Sequence, residues 1–160
     1  MATNIFFTSA DHKTRFLRAM RAIDKVYAGK LDPEYTAAIY VLTSSAGTWN
    51  KTQSYVDHEG IDFEALLAEV DFSGGYRVLI QLAWNLFNSG TALSPVELVH
   101  LDTINFTVAL TTLQIRRASL PLSELASEAE LYNLELEARN RATVENRAKP
   151  WLPLQTDEEF

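Results

Sequence analysis

The chain has 160 residues, 47% of them hydrophobic, and a formal net charge of −7. This length and composition suit one folded domain with a full core and exclude intrinsic disorder. The absence of cysteine excludes disulfides, thiolate metal sites and thiol catalysis. The excess of carboxylates disfavours binding to DNA or RNA, while it favours encounter with basic proteins.

The sequence carries no predicted membrane segment. Its first eight residues lack the basic and long apolar parts of a signal peptide. Its longest apolar run, Val78–Phe87, is interrupted by Gln81 and Asn85 and is far shorter than the roughly 18 residues that span a bilayer. We therefore expect a cytoplasmic protein.

Two helices are predicted in the first third of the chain. Apolar residues at helical spacing indicate a helix over Ser9–Ala28, capped by Thr8 or Ser9 and ended by Gly29. The run Asp32-Pro33-Glu34 has the form of an N-cap followed by a first-turn proline, and it predicts a second helix that ends near residues 44–47.

The middle of the chain predicts three further helices. A short one covers Asn50–Val56, the run at 57–60 is typical of a loop, and Asp62 caps a helix over Phe63–Val70. A longer apolar helix, Gly74–Asn88, is closed by Gly90.

The next segment is ambiguous in part. Ser94-Pro95-Val96-Glu97 resembles a capping box and predicts a short helix to about Leu101. Asp102 then caps Thr103–Arg117, although the alternating apolar residues of Thr103–Leu110 are also typical of a strand. The cap and the terminal arginines favour a helix.

A last helix is predicted over Leu122–Arg147, with a short tail after Pro150. Its apolar residues form a seam at steps of three and four: Leu122, Leu125, Ala129, Tyr132 and Leu136. The seam and the apolar residues of the tail can pack on the domain or bind a partner or second copy. The candidate partner-binding residues are Leu125, Tyr132, Leu136, Trp151, Leu152 and Leu154.

These signals predict an all-α fold: a compact single-domain bundle of about six to eight helices around the central apolar helix Gly74–Asn88. The helical domain covers residues 1–149, with the last helix, about 122–147, separable in role, and the tail covers residues 150–160.

A narrow polar stripe runs along the predicted central helix. Arg77, Gln81 and Asn85 fall on one side of it, and Gly74-Gly75 at its start could present free N–H groups to an anion. The stripe is interpreted either as a strip of surface or as the lining of a ligand site. The glycine pair matches neither a dinucleotide-binding nor a P-loop pattern, so a tight turn also explains it.

No catalytic, metal or cofactor signature is found. The histidines are His12, His58 and His100, and none has the helical spacing of a zinc-protease motif. His12 and His58 are interpreted as solvated residues at a helix start and in a loop. No serine lies in a nucleophile elbow. We therefore expect no cofactor and no bound metal.

Several stretches resemble a known family, among them Leu79 through Leu82-Ala83. The stretches on either side of it are Asp71-Phe-Ser-Gly-Gly-Tyr-Arg77 and Asn85-Leu-Phe-Asn-Ser-Gly90. The residues Phe7–Lys13, Leu101-Asp102, Asn105-Phe106 and Ile115-Arg116-Arg117 are similar to the family as well. The family consists of short uncharacterised proteins from Gram-positive bacteria and their phages or mobile elements. The resemblance covers about residues 6–118 and implies that setting, but no activity and no catalytic residue.

Three functions remain open at this point. The favoured one is a non-enzymatic protein that binds a host or defence protein. The second is a small-ligand or nucleotide-handling protein with its site along Arg77, Gln81 and Asn85. The third is a homo-oligomeric structural component assembled through the last helix.

Overall fold

The computed structural model of the protein describes residues 5–27, 30–118 and 125–147. Over these ranges the chain forms eight α-helices, one 3₁₀ helix and one pair of very short strands, which confirms the predicted all-α fold. Its internal contacts divide it into two compact units, residues 1–125 and 126–160. None of the helices in the described ranges is both long enough and apolar enough to cross a membrane.

The first two helices begin where the sequence predicts. Helix α1 covers Ala10–Ala22, and the hydroxyl of its N-cap Ser9 accepts a hydrogen bond from a first-turn N–H. Helix α2 covers Pro33–Leu42, and the carboxylate of Asp32 accepts two such bonds. Both caps satisfy N–H groups that a helix leaves without partners.

Helix α1 is shorter than predicted, because Ala22 rather than Ala28 is its last residue. Asp24 adopts a left-handed conformation with φ 56°. The N–H groups of Asp24 and Lys25 bond back to carbonyls of the last helical turn, at 3.0 Å each. This is a Schellman ending in which aspartate takes the position usually held by glycine. Strand β1, Val26–Tyr27, then pairs antiparallel with β2, Lys30–Leu31.

The third helix starts earlier than predicted. Helix α3 covers Ala46–Thr52 and continues as a 3₁₀ helix over Gln53–Tyr55. The hydroxyl of Ser45 accepts the N–H of Thr48 at 3.1 Å. The serine that was interpreted as part of a helix end is therefore the cap of the next helix.

The loop at 57–60 and the helix after it are confirmed. The carboxylate of Asp57 accepts the N–H groups of Glu59 and Gly60, which closes the loop. Helix α4 covers Phe63–Glu69, and Asp62 caps it by accepting from the N–H of Ala65.

Helix α5 covers Gly74–Asn88, as predicted. Its left-handed C-cap is Ser89, with φ 58°, whereas the sequence predicted that Gly90 closes it. Helix α6 is short, Pro95–Val99, and Ser94 makes no side-chain hydrogen bond to it. The capping box predicted at Ser94 is therefore wrong.

Helix α7 covers Thr103–Arg117, which settles the ambiguous segment as a helix. The carboxylate of Asp102 accepts the N–H of Asn105 at 2.8 Å. The strand-like alternation has another cause: Ile104, Phe106 and Leu110 are exposed apolar side chains rather than one buried face of a strand.

The core of the first unit lies around α2, in which every residue from Tyr35 to Leu42 is buried. Helices α5 and α7 pack against it most extensively, and α1 packs on it as well. Helix α5 buries only Leu79, Ile80, Leu82 and Ala83. It is thus one of the helices around α2, which takes the central position predicted for α5.

The second unit contains helix α8, Glu128–Arg147. The hydroxyl of Ser127 accepts the N–H of Glu130, and the Glu130 carboxylate accepts the N–H of Ser127. This reciprocal pair is a capping box and starts the helix. The prediction of one continuous helix from Leu122 is therefore wrong, since residues 126 and 127 are not helical; residues 119–124 lie outside the described ranges.

Candidate functional site

Two polar side chains of the α5 stripe hydrogen-bond to the chain segments beside the two ends of the helix. The guanidinium of Arg77 is exposed and donates to the carbonyl of Leu67 in α4, at 3.4 Å. The amide of Asn85 donates to the carbonyl of Thr91, just after the helix, at 2.8 Å. Gln81 lies half-buried between them. Two of the three predicted ligand-binding side chains thus hold neighbouring segments in place.

The glycine pair at the start of α5 allows a close approach to α7. A Cβ on Gly75 would lie 3.0 Å from the side-chain nitrogen of Asn105 and 3.8 Å from a methyl of Leu101. Gly74 has open space around it. The second glycine therefore has a packing role. The interpretation of the pair as a tight turn is wrong, because both glycines lie within helix α5 and neither has a positive φ.

Residues of the resemblance make contacts at both ends of α7. Asn105 also donates its side-chain N–H to Asp102, at 3.1 Å. This hydrogen bond fixes the Asn105 side chain at the start of α7, beside Gly75. At the other end of α7, Arg116 donates to the carbonyl of Leu86 at 2.9 Å and lies 3.9 Å from a carboxylate oxygen of Glu34. These contacts fix α5, α7 and α2 together.

The interpretation of His12 as a solvated residue is wrong, because its side chain is fully buried. The Thr8 N–H donates to Nδ1 at 3.1 Å, so the ring proton must lie on Nε2, which donates to the carbonyl of Tyr40 at 2.9 Å. Burial lowers the pKa of His12 to about 4, despite the hydrogen bond to Tyr40. His12 is therefore a neutral core residue at neutral pH.

An aromatic cluster surrounds this histidine. The ring of Phe7 lies 5.0 Å from that of His12 edge-on, and the ring of Tyr40 lies 4.8 Å away. The hydroxyl of Tyr40 donates to the carbonyl of Phe6 at 2.6 Å, and burial raises the pKa of Tyr40 to about 12. Helical spacing held a signal for this cluster, because His12 precedes the buried Phe16 by one turn.

His58 is exposed in its loop, as the sequence predicted. Its Nδ1 donates to the carbonyl of Ile23 at 2.8 Å, which ties the loop to the end of α1. Among the residues that the structure describes, no three His, Asp or Glu side chains converge on a point where a metal could bind.

The most unusual surface lies on α6 and α7. Within the described ranges, nine large hydrophobic side chains are exposed, and six of them lie between residues 96 and 113. Three form what we name the apolar corner: Val96, Val99 and Ile104, which are 56%, 69% and 60% exposed. The other three form the α7 stripe: Phe106, Leu110 and Leu113. The sequence interpretation missed both, because it assigned apolar residues at helical spacing to the core.

The predicted partner-binding residues have different surroundings. Leu125 is 3% exposed and belongs to the first unit, so it is not available at a surface. Tyr132 and Leu136 are exposed on α8. The predictions for Trp151, Leu152 and Leu154 lie outside the described residues.

Comparison with known proteins places the chain in a family. A model of a family of unknown function, DUF6075, matches residues 2–114. The chain belongs to this family. No curated protein and no solved structure matches it significantly. The DUF6075 match covers both the apolar corner and the α7 stripe, but ends before α8.

Proposed function

We propose that this DUF6075 protein is a non-enzymatic protein-binding protein, encoded by a phage or mobile element, that acts in the cytoplasm on a host or defence protein. The observation that carries the proposal is the apolar corner. Val96, Val99 and Ile104 are each more than half exposed and lie within nine residues of chain. Grouped apolar side chains at a surface are typical of protein-binding sites, whereas scattered ones are ordinary.

The charges beside the corner indicate the chemistry of the partner. Glu97 and Asp102 are exposed, and the segment 94–105 contains no lysine or arginine. A partner that matches this surface has an apolar segment flanked by basic residues. Opposite charge at the rim of an interface mainly speeds association, and salt weakens it.

The small-ligand alternative has less support. Arg77 and Asn85 already bond to backbone carbonyls of adjacent segments, and His12 is enclosed by aromatic rings. A site for catalysis needs polar groups aimed at a substrate within hydrogen-bond reach. The described geometry uses these groups to hold the fold.

The test is affinity capture from a host lysate with the full chain and with the variant Val96→Ser/Val99→Ser. Both side chains are exposed, so the variant should unfold at the same temperature as the parent. We expect a stoichiometric partner that the parent captures and that the variant loses by at least about tenfold, since buried anchor residues dominate such interfaces. Raising the salt concentration should weaken the capture.

Tyr132→Ser serves as the matched control, because this side chain is equally exposed but lies on α8. It should leave the capture unchanged. If Tyr132→Ser loses the partner and Val96→Ser/Val99→Ser keeps it, the binding surface is on α8 and not at the apolar corner. Absence of any stoichiometric partner would remove the proposed function.

A further inference from the structure

The α7 stripe lies between two opposite charges on the same side of its helix. At about 100° per residue, Asp102, Phe106, Leu110, Leu113 and Arg117 fall within an arc of about 80°. All five are exposed. Asp102 and Arg117 are the only charged residues on this side, one at each end of the apolar stretch.

The arrangement is symmetric about one point. The midpoint between Phe106 and Leu113 falls between residues 109 and 110, and the midpoint between Asp102 and Arg117 falls at the same place. Turning the helix end for end therefore places apolar on apolar and acidic on basic. Such self-complementarity is the requirement of a two-fold symmetric interface.

We propose that the α7 stripe binds a second copy of this chain, with the two α7 helices antiparallel. Leu110 then lies beside the two-fold axis, Phe106 faces Leu113 of the other copy, and Asp102 faces Arg117 of the other copy. The apolar corner takes no part in this pairing. The proposal is thus independent of the proposed function and gives the dimer two copies of the corner.

Electrostatic interactions favour the antiparallel arrangement of the second copy over a parallel one. Parallel pairing would oppose Asp102 to Asp102 and Arg117 to Arg117, and like charges at an interface reduce affinity. Among the described residues, the carboxylate of Asp102 bonds to Asn105 in its own first turn, and it remains exposed. One pair of helices buries less than the roughly 800 Å² per partner of a standard interface, so we expect a weak dimer with a Kd on the order of micromolar.

Sedimentation equilibrium of the full chain from about 5 to 500 μM tests the association. We expect a monomer–dimer equilibrium that Leu110→Glu abolishes. Asp102→Asn, which keeps the cap, and Arg117→Gln should each raise the dimer Kd about fivefold. The matched control is Lys30→Gln, an exposed charge on β2, which should have no effect. A monomer throughout this range would overturn the proposal, whether the stripe is covered by residues 126–160 or by another protein.

Cysteine cross-linking tests the orientation, and the chain suits it because it has no cysteine of its own. Under mild oxidation Leu110→Cys should form a disulfide-linked dimer, whereas the exposed control Ser54→Cys should not. A mixture of Phe106→Cys and Leu113→Cys chains should cross-link faster than either variant alone. Faster self-cross-linking of each single variant would contradict the antiparallel arrangement.

Discussion

At the scale of single residues, His12 lies in an environment unlike that of an ordinary solvated histidine. Its ring accepts from the backbone at Nδ1 and donates to the backbone at Nε2, so it links the segment before α1 to the end of α2. The bond at Nδ1 needs the neutral ring, because only a ring nitrogen without a proton can accept. A proton on Nδ1 would remove an acceptor and place an unpaired charge among aromatic rings.

This environment predicts a pH dependence of stability. The pKa of His12 is about 4 in the folded protein, against 6.5 for an unperturbed histidine. The unfolded chain therefore binds the proton first, and the stabilisation is complete above pH 6.5 and is lost as the pH falls from 6.5 to about 4. The difference corresponds to a loss on the order of 3 kcal/mol.

Urea unfolding at pH 7.0 and 5.0 measures this effect. His12→Gln should have a lower free energy of unfolding at pH 7.0 and a smaller loss between the two pH values than the parent. His58→Gln, which changes an exposed histidine, should keep the parent's loss. Equal losses in all three proteins would show that His12 does not carry the effect.

Tyr40 gives a second residue-scale prediction. Its buried hydroxyl donates to the carbonyl of Phe6, and Tyr40→Phe leaves that carbonyl without this donor. We expect a loss of about 1–2 kcal/mol in the free energy of unfolding, measured at pH 7 by urea titration. Since burial raises the pKa of Tyr40 to about 12, the parent should also lose stability as the pH rises from 10 to 12. The variant should lose less over that interval.

At the scale of elements, the sequence predicts where helices start better than where they end. Starts were predictable at Ser9, Asp32, Asp62 and Asp102, because a capping side chain bonds to its own first turn and the signal is local. Ends were less predictable. Asp24 and Ser89 take left-handed conformations, and neither is a glycine, so local preference alone points to the wrong residue.

Exposure was the other element-scale property that the sequence did not predict. Helical spacing shows which residues share a face, but packing decides whether that face is covered. On α7 the buried face includes Val108, Thr112 and Ile115, and the α7 stripe lies on the opposite side. Thr111 and Thr112 each donate their hydroxyl to a backbone carbonyl one turn earlier in the helix. Because these hydroxyls are satisfied, a partly polar face can enter the core.

The turn after α5 allows an element-scale test. A Cβ on Gly90 would lie 1.9 Å from the indole nitrogen of Trp84, while Gly47 in α3 has open space around it. Gly90→Ala should lower the free energy of unfolding by about 1–3 kcal/mol, because the indole must move. Gly47→Ala should raise it by up to about 1 kcal/mol, since alanine favours helix. Equal effects of the two substitutions on thermal unfolding would contradict the described turn.

At the scale of the whole molecule, the division at residue 125 is the main organising feature. The family match ends within α7, but the first unit continues to Leu125, which is buried. We expect a fragment of residues 1–125 to unfold cooperatively in calorimetry. Leu125→Ala in the full chain should cost about 2–5 kcal/mol, a range typical of a buried leucine. A fragment without a cooperative transition would show that the first unit needs residues 126–160.

The burial of Tyr35–Leu42 makes this part of α2 a reporter of binding. The backbone amides of Tyr35–Leu42 lie at the centre of the first unit, so we expect them to exchange with deuterated water only when the whole unit opens. Their exchange rate therefore measures the global free energy of unfolding. Any molecule that binds the native state slows that rate by an amount set by its concentration and Kd. The deuterium uptake of the α2 segment Tyr35–Leu42 can therefore report whether the apolar corner or the α7 stripe is occupied, although this segment belongs to neither surface.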